Sequence, residues 1–196
     1  MLRTARDAAG ARRRGDSALV KDPIAVFSTP WMVEEFDLAA VVLVRDPVAF
    51  VGSLVARDWG FDFRHWSDQP ALMTDRLGHV ADDVARLVER PTDDLVEQGI
   101  VLWNGIYGYV DTLRDTDDRI HVVSYERLAA NPQVEVEGLY ERLGLAFDAG
   151  AAATVEELST STAEPVGAID VRRDSARALT TWRERLDADE VARVRA

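Results

Sequence analysis

Apolar positions along the chain fall into short continuous runs and into longer stretches with helical spacing. Residues 40–44 (AVVLV) form a continuous apolar run of the kind found in strands that are covered on both faces. Residues 120–125 (IHVVSY) form a second β-branched run, and 18–20 (ALV) form a shorter one. The sequence therefore predicts three strands.

Helical patterns fill the segments between these runs. Residues 28–36 (STPWMVEEF) begin with hydroxyl residues that can cap a helix and a proline in its first turn, and Asp46 with Pro47 starts another helix directly after the second strand. Asn131 and Pro132 start a helix that we expect to end at Gly144. The middle of the chain has apolar residues at helical spacing at Met73, Leu77, Val80, Val84, Leu87, Leu95, Leu102, Ile106, Val110 and Leu113.

The two ends of the chain have weaker signals. Residues 1–17 predict a solvated leading helix, since the acidic residues among them argue against a mitochondrial targeting helix. Residues 149–175 have little periodicity, which predicts loops. Residues 177–186 (RALTTWRERL) predict a helix, and the capping-box pair Asp187 and Glu190 predicts that helix continues to the end of the chain.

Strands that alternate with helices predict an α/β fold: one domain over residues 1–196, with a parallel sheet that carries helices on both faces. Ligands of such sheets bind outside the carboxyl ends of the strands. Lys21 follows the first predicted strand and Arg45 the second, while Ser124 and Tyr125 lie at the end of the third. We therefore expect cationic and hydroxyl groups to meet along one rim.

Composition restricts the partners of this rim. The chain is 47% hydrophobic and 30% charged with a net charge of -12, which is globular and argues against nucleic-acid or anionic-membrane binding. It has no cysteine, no metal-ligand cluster, no membrane-length apolar run and no signal-peptide core, so we expect a cytoplasmic protein without disulfides or metal. The chain has 22 arginines and a single lysine, Lys21. A functional need for an ammonium group at this position and chance explain the single lysine equally well.

The segment VVLVRDPVAFVGSL (41–54) admits two interpretations. Arg45 ends a strand, and Ala49, Gly52, Ser53 and Ala56 form a stripe of small residues on the following helix. An arginine fork and a hydroxyl suit an anion that approaches closely. Alternatively the stripe packs the helix tightly on the sheet and Arg45 pairs with an acid. Spacing alone favours the packing interpretation.

The order of motifs along the chain resembles the sulfotransferases that use 3′-phosphoadenosine 5′-phosphosulfate (PAPS). The matching segments cover about residues 19–190: LVKDP, VVLVRDPVAFVGSL, VVSYERLAANP, LYERLGL and TTWRERL. The resemblance implies that Arg45 and Ser53, eight residues apart, contact the 3′-phosphate and that Tyr125 lies near the nucleotide. It also implies that Arg173 or Arg177, in a loop before Trp182, adds basic contacts to that phosphate.

The resemblance further implies transfer of a sulfuryl group to an acceptor hydroxyl on a carbohydrate or small metabolite. Lys21 would neutralise developing charge, and Asp22 would be the general base, although Asp22 equally suits a turn-forming Asp-Pro dipeptide. The aromatic segment 59–66 (WGFDFRHW) would form an acceptor-binding wall or pack on the helices. We interpret His65 and His79 as structural, and Trp103, Tyr107 and Tyr109 as core and helix-face residues.

One element of the family pattern is missing from the sequence. The resemblance implies a P-loop-like turn of the Ser-Gly-Thr-Thr type after the first strand, and no such turn occurs in the 196 residues. We therefore expect an N-terminally truncated form of the P-loop nucleotide-kinase-like sulfotransferase fold, its C-terminal two-thirds, with little or no activity as this fragment. The alternative is a non-catalytic nucleotide-binding or interaction module. Loss of a strand would expose a sheet edge, and two copies of the chain could form a homodimer through that edge. A P-loop nucleotide kinase is disfavoured because GxxxxGK[ST] is absent.

Overall fold

Helices dominate the structure, a computed structural model that describes residues 19–22, 24–114, 116–160 and 179–196. Two strands are present in this part of the chain, β1 (Ala40–Val44) and β2 (Ile120–Ser124). The α-helices are α1 (Thr29–Phe36), α2 (Pro47–Val55), α3 (Arg64–Ser67), α4 (Pro70–Asp75), α5 (Ala81–Glu89), α6 (Leu95–Thr112), α7 (Tyr125–Ala130), α8 (Pro132–Arg142), α9 (Ala149–Thr160) and α10 (Ala188–Arg195). Short 3₁₀ helices cover Ala25–Ser28, Gly78–Val80 and Thr181–Glu184.

The two strands pair in parallel, with Ala40 opposite Ile120 and Val44 opposite Ser124. Helices α2 to α6 form the connection between them, as a parallel pair requires a long crossover. The predicted parallel sheet is therefore confirmed for these two strands. Their carboxyl ends lie side by side, so Arg45 and Tyr125 emerge at the same edge.

The predicted strand at 18–20 is wrong for the two of its residues that the structure describes. Leu19 and Val20 have no strand structure, and their side chains are 94% and 68% exposed. So short an apolar run becomes a strand only if a neighbouring strand accepts its backbone hydrogen bonds, and the described sheet pairs β1 with β2 alone. Lys21 therefore does not follow a strand.

Among the described residues, the expectation that helices cover both faces of β1 is met on one face only. Ala40 and Val42 pack into a cluster with Val33, on one face of the strand. Val41 and Leu43 point to the opposite face and are 42% and 48% exposed. Successive side chains of a strand alternate between its faces, so the second face of β1 presents apolar side chains that the described residues leave partly exposed.

The main core lies between the aromatic segment 59–66, α5 and α6. Leu77 is fully buried in this cluster, beside Trp66 and Phe63. Gly105 of α6 allows the close approach of Trp66, because a Cβ atom at this position would lie 2.6 Å from a carbon of the indole ring. The predicted helical middle of the chain is confirmed, although it is divided into several helices.

The C-terminal part differs from its prediction in two places. Residues 149–160, expected to be loop, form α9. Its run of alanines favours a helix, and the Asp148 side chain accepts the Ala151 N–H at 2.8 Å near the start of the helix. Between 179 and 186, where helix was predicted, only the 3₁₀ turn Thr181–Glu184 forms. The capping box is confirmed, because Asp187 and Glu190 accept each other's backbone N–H groups at 2.8 Å. Residues 161–178 lie outside the described part.

Arg119 ties the start of β2 to the end of α1. Its guanidinium donates to the Asp117 carboxylate at 2.7 Å, to Asp37 at 3.0 Å and to the Val33 carbonyl at 3.2 Å. These bonds to Arg119 hold the pKa of Asp117 at about 2, below the ordinary value of 3.8. The folded state therefore favours the ionised form of Asp117.

We expect the bonds between Asp117 and Arg119 to make part of the free energy of unfolding depend on pH in the acid range. Because the pKa is lowered on folding, the stabilisation is complete above about pH 4 and is lost as the pH falls through about 2. In Asp117→Asn the free energy of unfolding should thus depend less steeply on pH between 4 and 2 than in the wild type. Urea unfolding at several pH values measures this, and equal slopes would contradict it.

Candidate functional site

The turn between β1 and α2 carries the candidate site. Arg45 and Asp46 join the strand to the helix, and the Asp46 side chain accepts the Ala49 N–H at 3.0 Å. Pro47 occupies the first helical turn, where its missing N–H has no cost. The predicted Asp-Pro start of the helix is confirmed. It ends the strand so that Arg45 lies at the carboxyl edge of the sheet.

The Arg45 side chain lies against Tyr125, the first residue of α7. Its guanidinium carbon is 5.2 Å from the centre of the tyrosine ring, a cation–π distance. Its Nε is buried and has no hydrogen-bond partner among the described residues. A buried donor without a partner costs about 1–3 kcal/mol, so an anion that accepted this N–H would offset the cost. No described carboxylate forms an ion pair with Arg45, which removes support for the interpretation that it pairs with an acid.

The end of β2 contributes a second group of polar side chains. The Ser124 hydroxyl accepts the Arg127 N–H at 3.3 Å and donates to Glu126 at 3.2 Å. Val44 pairs with Ser124 in the sheet, so Arg45 and Tyr125 follow paired positions. The expectation that strand ends bring polar groups to one rim is confirmed for these two strands.

The Arg45 turn is contacted by three residues that the sequence did not identify as functional. The indole N–H of Trp103 donates to the Arg45 carbonyl at 2.8 Å, and Glu126 accepts the Asp46 N–H at 2.8 Å. Burial raises the pKa of Tyr107, and the nearby Arg45 partly opposes that rise. The i, i+4 spacing of Trp103 and Tyr107 indicates that they share a helix face, but nothing local to them shows that this face meets Arg45.

Ser53 does not join this group. Its hydroxyl donates to the Phe50 carbonyl of its own helix at 2.7 Å. The small-residue stripe packs against the C-terminal segment, since a Cβ at Gly52 would lie 3.5 Å from Trp182 and from Leu186. The packing interpretation is therefore supported, with the correction that the partner at Gly52 is the C-terminal segment.

The predicted catalytic pair has no bond to Arg45 within the described residues. Lys21 and Asp22 are both exposed. Asp22 accepts the N–H groups of Ile24 at 2.8 Å and of Ala25 at 3.2 Å, which caps the 3₁₀ helix that follows. These bonds agree with the turn-forming interpretation of Asp22. Arg173 and Arg177 fall outside the described residues.

The aromatic segment 59–66 borders two cavities, of about 560 Å³ and 250 Å³. Phe61 lines both of them, and Phe27 and Trp66 line the larger. Polar groups at His65, Gln69, Asp75 and Arg76 complete the larger cavity. The segment therefore packs into the core through Phe63 and Trp66 and also forms a cavity wall.

In the described ranges, no group of three or more histidine, aspartate or glutamate side chains is placed to hold a metal ion. Within those same ranges, no helix is both long enough and apolar enough to cross a membrane.

Comparison with known proteins supports the resemblance that the motif order indicated. A family model described as the sulfotransferase family matches residues 1–149 of the 196. The matched range includes Lys21, Arg45 and Tyr125 and ends before Arg173 and Arg177. No curated protein and no solved structure matches the chain. Since the match covers most of the sequence, the chain belongs to the sulfotransferase family.

Proposed function

We propose that this member of the sulfotransferase family binds the 3′-phosphate of PAPS at the Arg45 turn and takes part in sulfuryl transfer to an acceptor hydroxyl. The observation that carries the proposal is the buried Arg45 Nε, which lacks a partner among the described residues at the edge where β1 and β2 end. A guanidinium presents a planar fork that suits a phosphate, and the Tyr125 ring beneath it limits its orientation.

Other residues would complete the phosphate site. Ser53 would rotate its hydroxyl from the Phe50 carbonyl toward the phosphate, a change of one side-chain torsion. Arg173 and Arg177 remain proposed as further cationic contacts. Tyr125 would lie beside the nucleotide while it holds the guanidinium in place.

PAPS, when bound, would supply the sulfuryl group that an acceptor hydroxyl takes. Lys21 would place an ammonium near the negative charge that develops during transfer. Asp22 would accept the proton of the acceptor hydroxyl. The backbone bonds to Asp22 hold its carboxylate at the start of the 3₁₀ helix Ala25–Ser28, and Phe27 and Ser28 of that helix line the larger cavity.

We assign the acceptor, a carbohydrate or a small hydroxylated metabolite, to this larger cavity. Its volume of about 560 Å³ suits such a molecule. The rings of Phe27, Phe61 and Trp66 offer apolar contact, and Asp75 and Arg76 offer hydrogen bonds at its wall. Ile24 also lines it, two residues after Asp22, which links the proposed base to the proposed acceptor site.

Thermal unfolding with 3′-phosphoadenosine 5′-phosphate (PAP), the desulfated nucleotide, tests the binding part of the proposal. At 100 times its Kd, PAP should stabilise the protein by about 2.7 kcal/mol. For a chain of this length that raises Tm by about 5–10 °C. Adenosine 5′-phosphate, which lacks the 3′-phosphate, is the matched control and should give a much smaller shift. The absence of any shift at millimolar PAP would reject the site.

A non-catalytic nucleotide-binding module is the second candidate function. One observation favours it: Lys21 is exposed on a segment without strand structure, and no described bond joins it to Arg45. Transfer of radiolabelled sulfate from PAPS to a panel of sugars and phenols separates the two candidates. Labelled product supports the transferase, whereas a PAP-induced shift without product supports the module.

A further inference from the structure

The peptide group between Arg45 and Asp46 is held at both of its polar ends. Its carbonyl accepts the indole N–H of Trp103 at 2.8 Å. Its N–H, which belongs to Asp46, donates to the Glu126 carboxylate at 2.8 Å. The two partners come from α6 and α7, which are 58 and 80 residues away along the chain. One peptide plane is thus fixed by two independent elements.

Fixing this plane fixes the position of the Arg45 backbone relative to α6 and α7. A peptide group is rigid, so its orientation sets the torsion that follows the Cα of Arg45. Loss of these bonds would let the turn move relative to α7, which carries both Glu126 and Tyr125, and would release the guanidinium from its position over the ring. Arg45 and Asp46 lie between the strand and the helix and belong to neither element. The bonds to Trp103 and Glu126 therefore take over the function that sheet or helix bonds have elsewhere.

Glu126 is suited to this role despite its negative charge. One carboxylate oxygen accepts the Asp46 N–H, and the other accepts the Ser124 hydroxyl. Two donors therefore spread its charge beside a site that we assign to a phosphate. Besides burial, two neighbours affect the pKa of Tyr107: Arg45 lowers it and Glu126 raises it. Both charged groups thus lie within electrostatic range of Tyr107.

We propose that Glu126 and Trp103 are positioning residues for phosphate binding, which act by holding the Arg45–Asp46 peptide group so that the guanidinium lies over Tyr125. The inference rests on the proposed function, because it names the residues that prepare the same site. Neither residue is proposed to touch the nucleotide.

Three variants separate positioning from charge. Glu126→Ala removes the acceptor of the Asp46 N–H. Glu126→Gln removes the charge but keeps a carbonyl oxygen for that N–H, and its amide can donate to the Ser124 hydroxyl. Trp103→Phe removes the indole N–H together with one of the two indole rings and keeps a single aromatic ring. We expect Glu126→Ala and Trp103→Phe to weaken PAP binding by about tenfold or more, and Glu126→Gln to bind within about threefold of the wild type.

The rate of amide hydrogen exchange at Asp46, measured by NMR without ligand, gives a readout that does not depend on nucleotide. Exchange should be at least tenfold faster in Glu126→Ala and near the wild-type rate in Glu126→Gln. Calorimetry with PAP is run on the same samples. Trp103→Phe serves as the second variant if Glu126→Ala does not fold.

The outcomes are distinguishable. If the wild type binds PAP and both Glu126→Ala and Trp103→Phe bind equally well, the positioning roles are rejected while the proposed function stands. Tighter binding by both Glu126 variants would show that the carboxylate acts through its charge, which also rejects positioning. If the wild type binds no PAP, the proposed function is rejected and the inference about phosphate binding fails with it. Unchanged Asp46 exchange in Glu126→Ala would show that Glu126 does not hold the Arg45–Asp46 peptide group, which rejects its positioning role.

Discussion

Arg45→Ala should remove most of the thermal shift that PAP produces in the wild-type protein. The guanidinium supplies the charge and the buried Nε donor at the candidate phosphate site, and alanine supplies neither. Truncating one partner of a buried charged pair typically costs about 2–5 kcal/mol. That range corresponds to a Kd weakened by about 30-fold to several thousand-fold, measured by calorimetry. The variant should keep its fold, since removal of an unpartnered buried donor also removes a cost.

Two companion variants make this result specific. Arg90→Ala removes an exposed arginine at the end of α5 and should leave the shift unchanged. Arg45→Lys keeps the charge but loses the planar fork and its stacking on Tyr125, so binding should be intermediate. A full PAP shift in Arg45→Ala would show that the phosphate binds elsewhere.

Leu77→Ala should be the most destabilising of the substitutions considered, with a loss of about 2–5 kcal/mol in the free energy of unfolding. Leu77 is fully buried between the aromatic segment and α6, and its methyl groups lie near Gly105 and Trp66. Truncation leaves a cavity that the rigid surrounding rings fill poorly. Denaturant unfolding measures the change, and the corresponding fall in Tm is about 5–20 °C.

The same substitution at Leu19 is the matched control. Leu19 is 94% exposed, so Leu19→Ala should change the free energy of unfolding by no more than about 0.5 kcal/mol. The comparison also tests the fold, because a leucine in a paired central strand would cost much more to truncate. Equal losses at the two positions would contradict the described placement of residues 19–22.

Elements whose determinants lie within a few neighbouring residues were predictable. The Asp46–Pro47 helix start and the Asp187–Glu190 capping box form between residues at most three positions apart, and both occur as predicted. The two longer strands were predicted nearly to the residue, since each has a run of β-branched residues with enough backbone to pair. The parallel pairing followed from the helical crossover between them.

Elements that depend on a distant partner were not predictable. Residues 18–20 have strand-like composition, yet Leu19 and Val20 have no partner strand in the described sheet. The run AVVLV predicted a strand but not that one face would stay exposed. Alanine-rich α9 lacked a periodic pattern, because its helix depends more on backbone propensity than on one apolar stripe.

The candidate site divides in the same way. The sequence alone was enough to place Arg45 at a strand end, to set Ser53 eight residues later and to indicate the sulfotransferase family, because these are properties of spacing and motif order. The tertiary structure decided that Arg45 meets Tyr125, that Ser53 bonds within its own helix, and that Trp103 and Glu126 hold the intervening peptide group. The physical reason is that a hydrogen bond between residues 58 or 80 positions apart exists only after three separate elements have packed together.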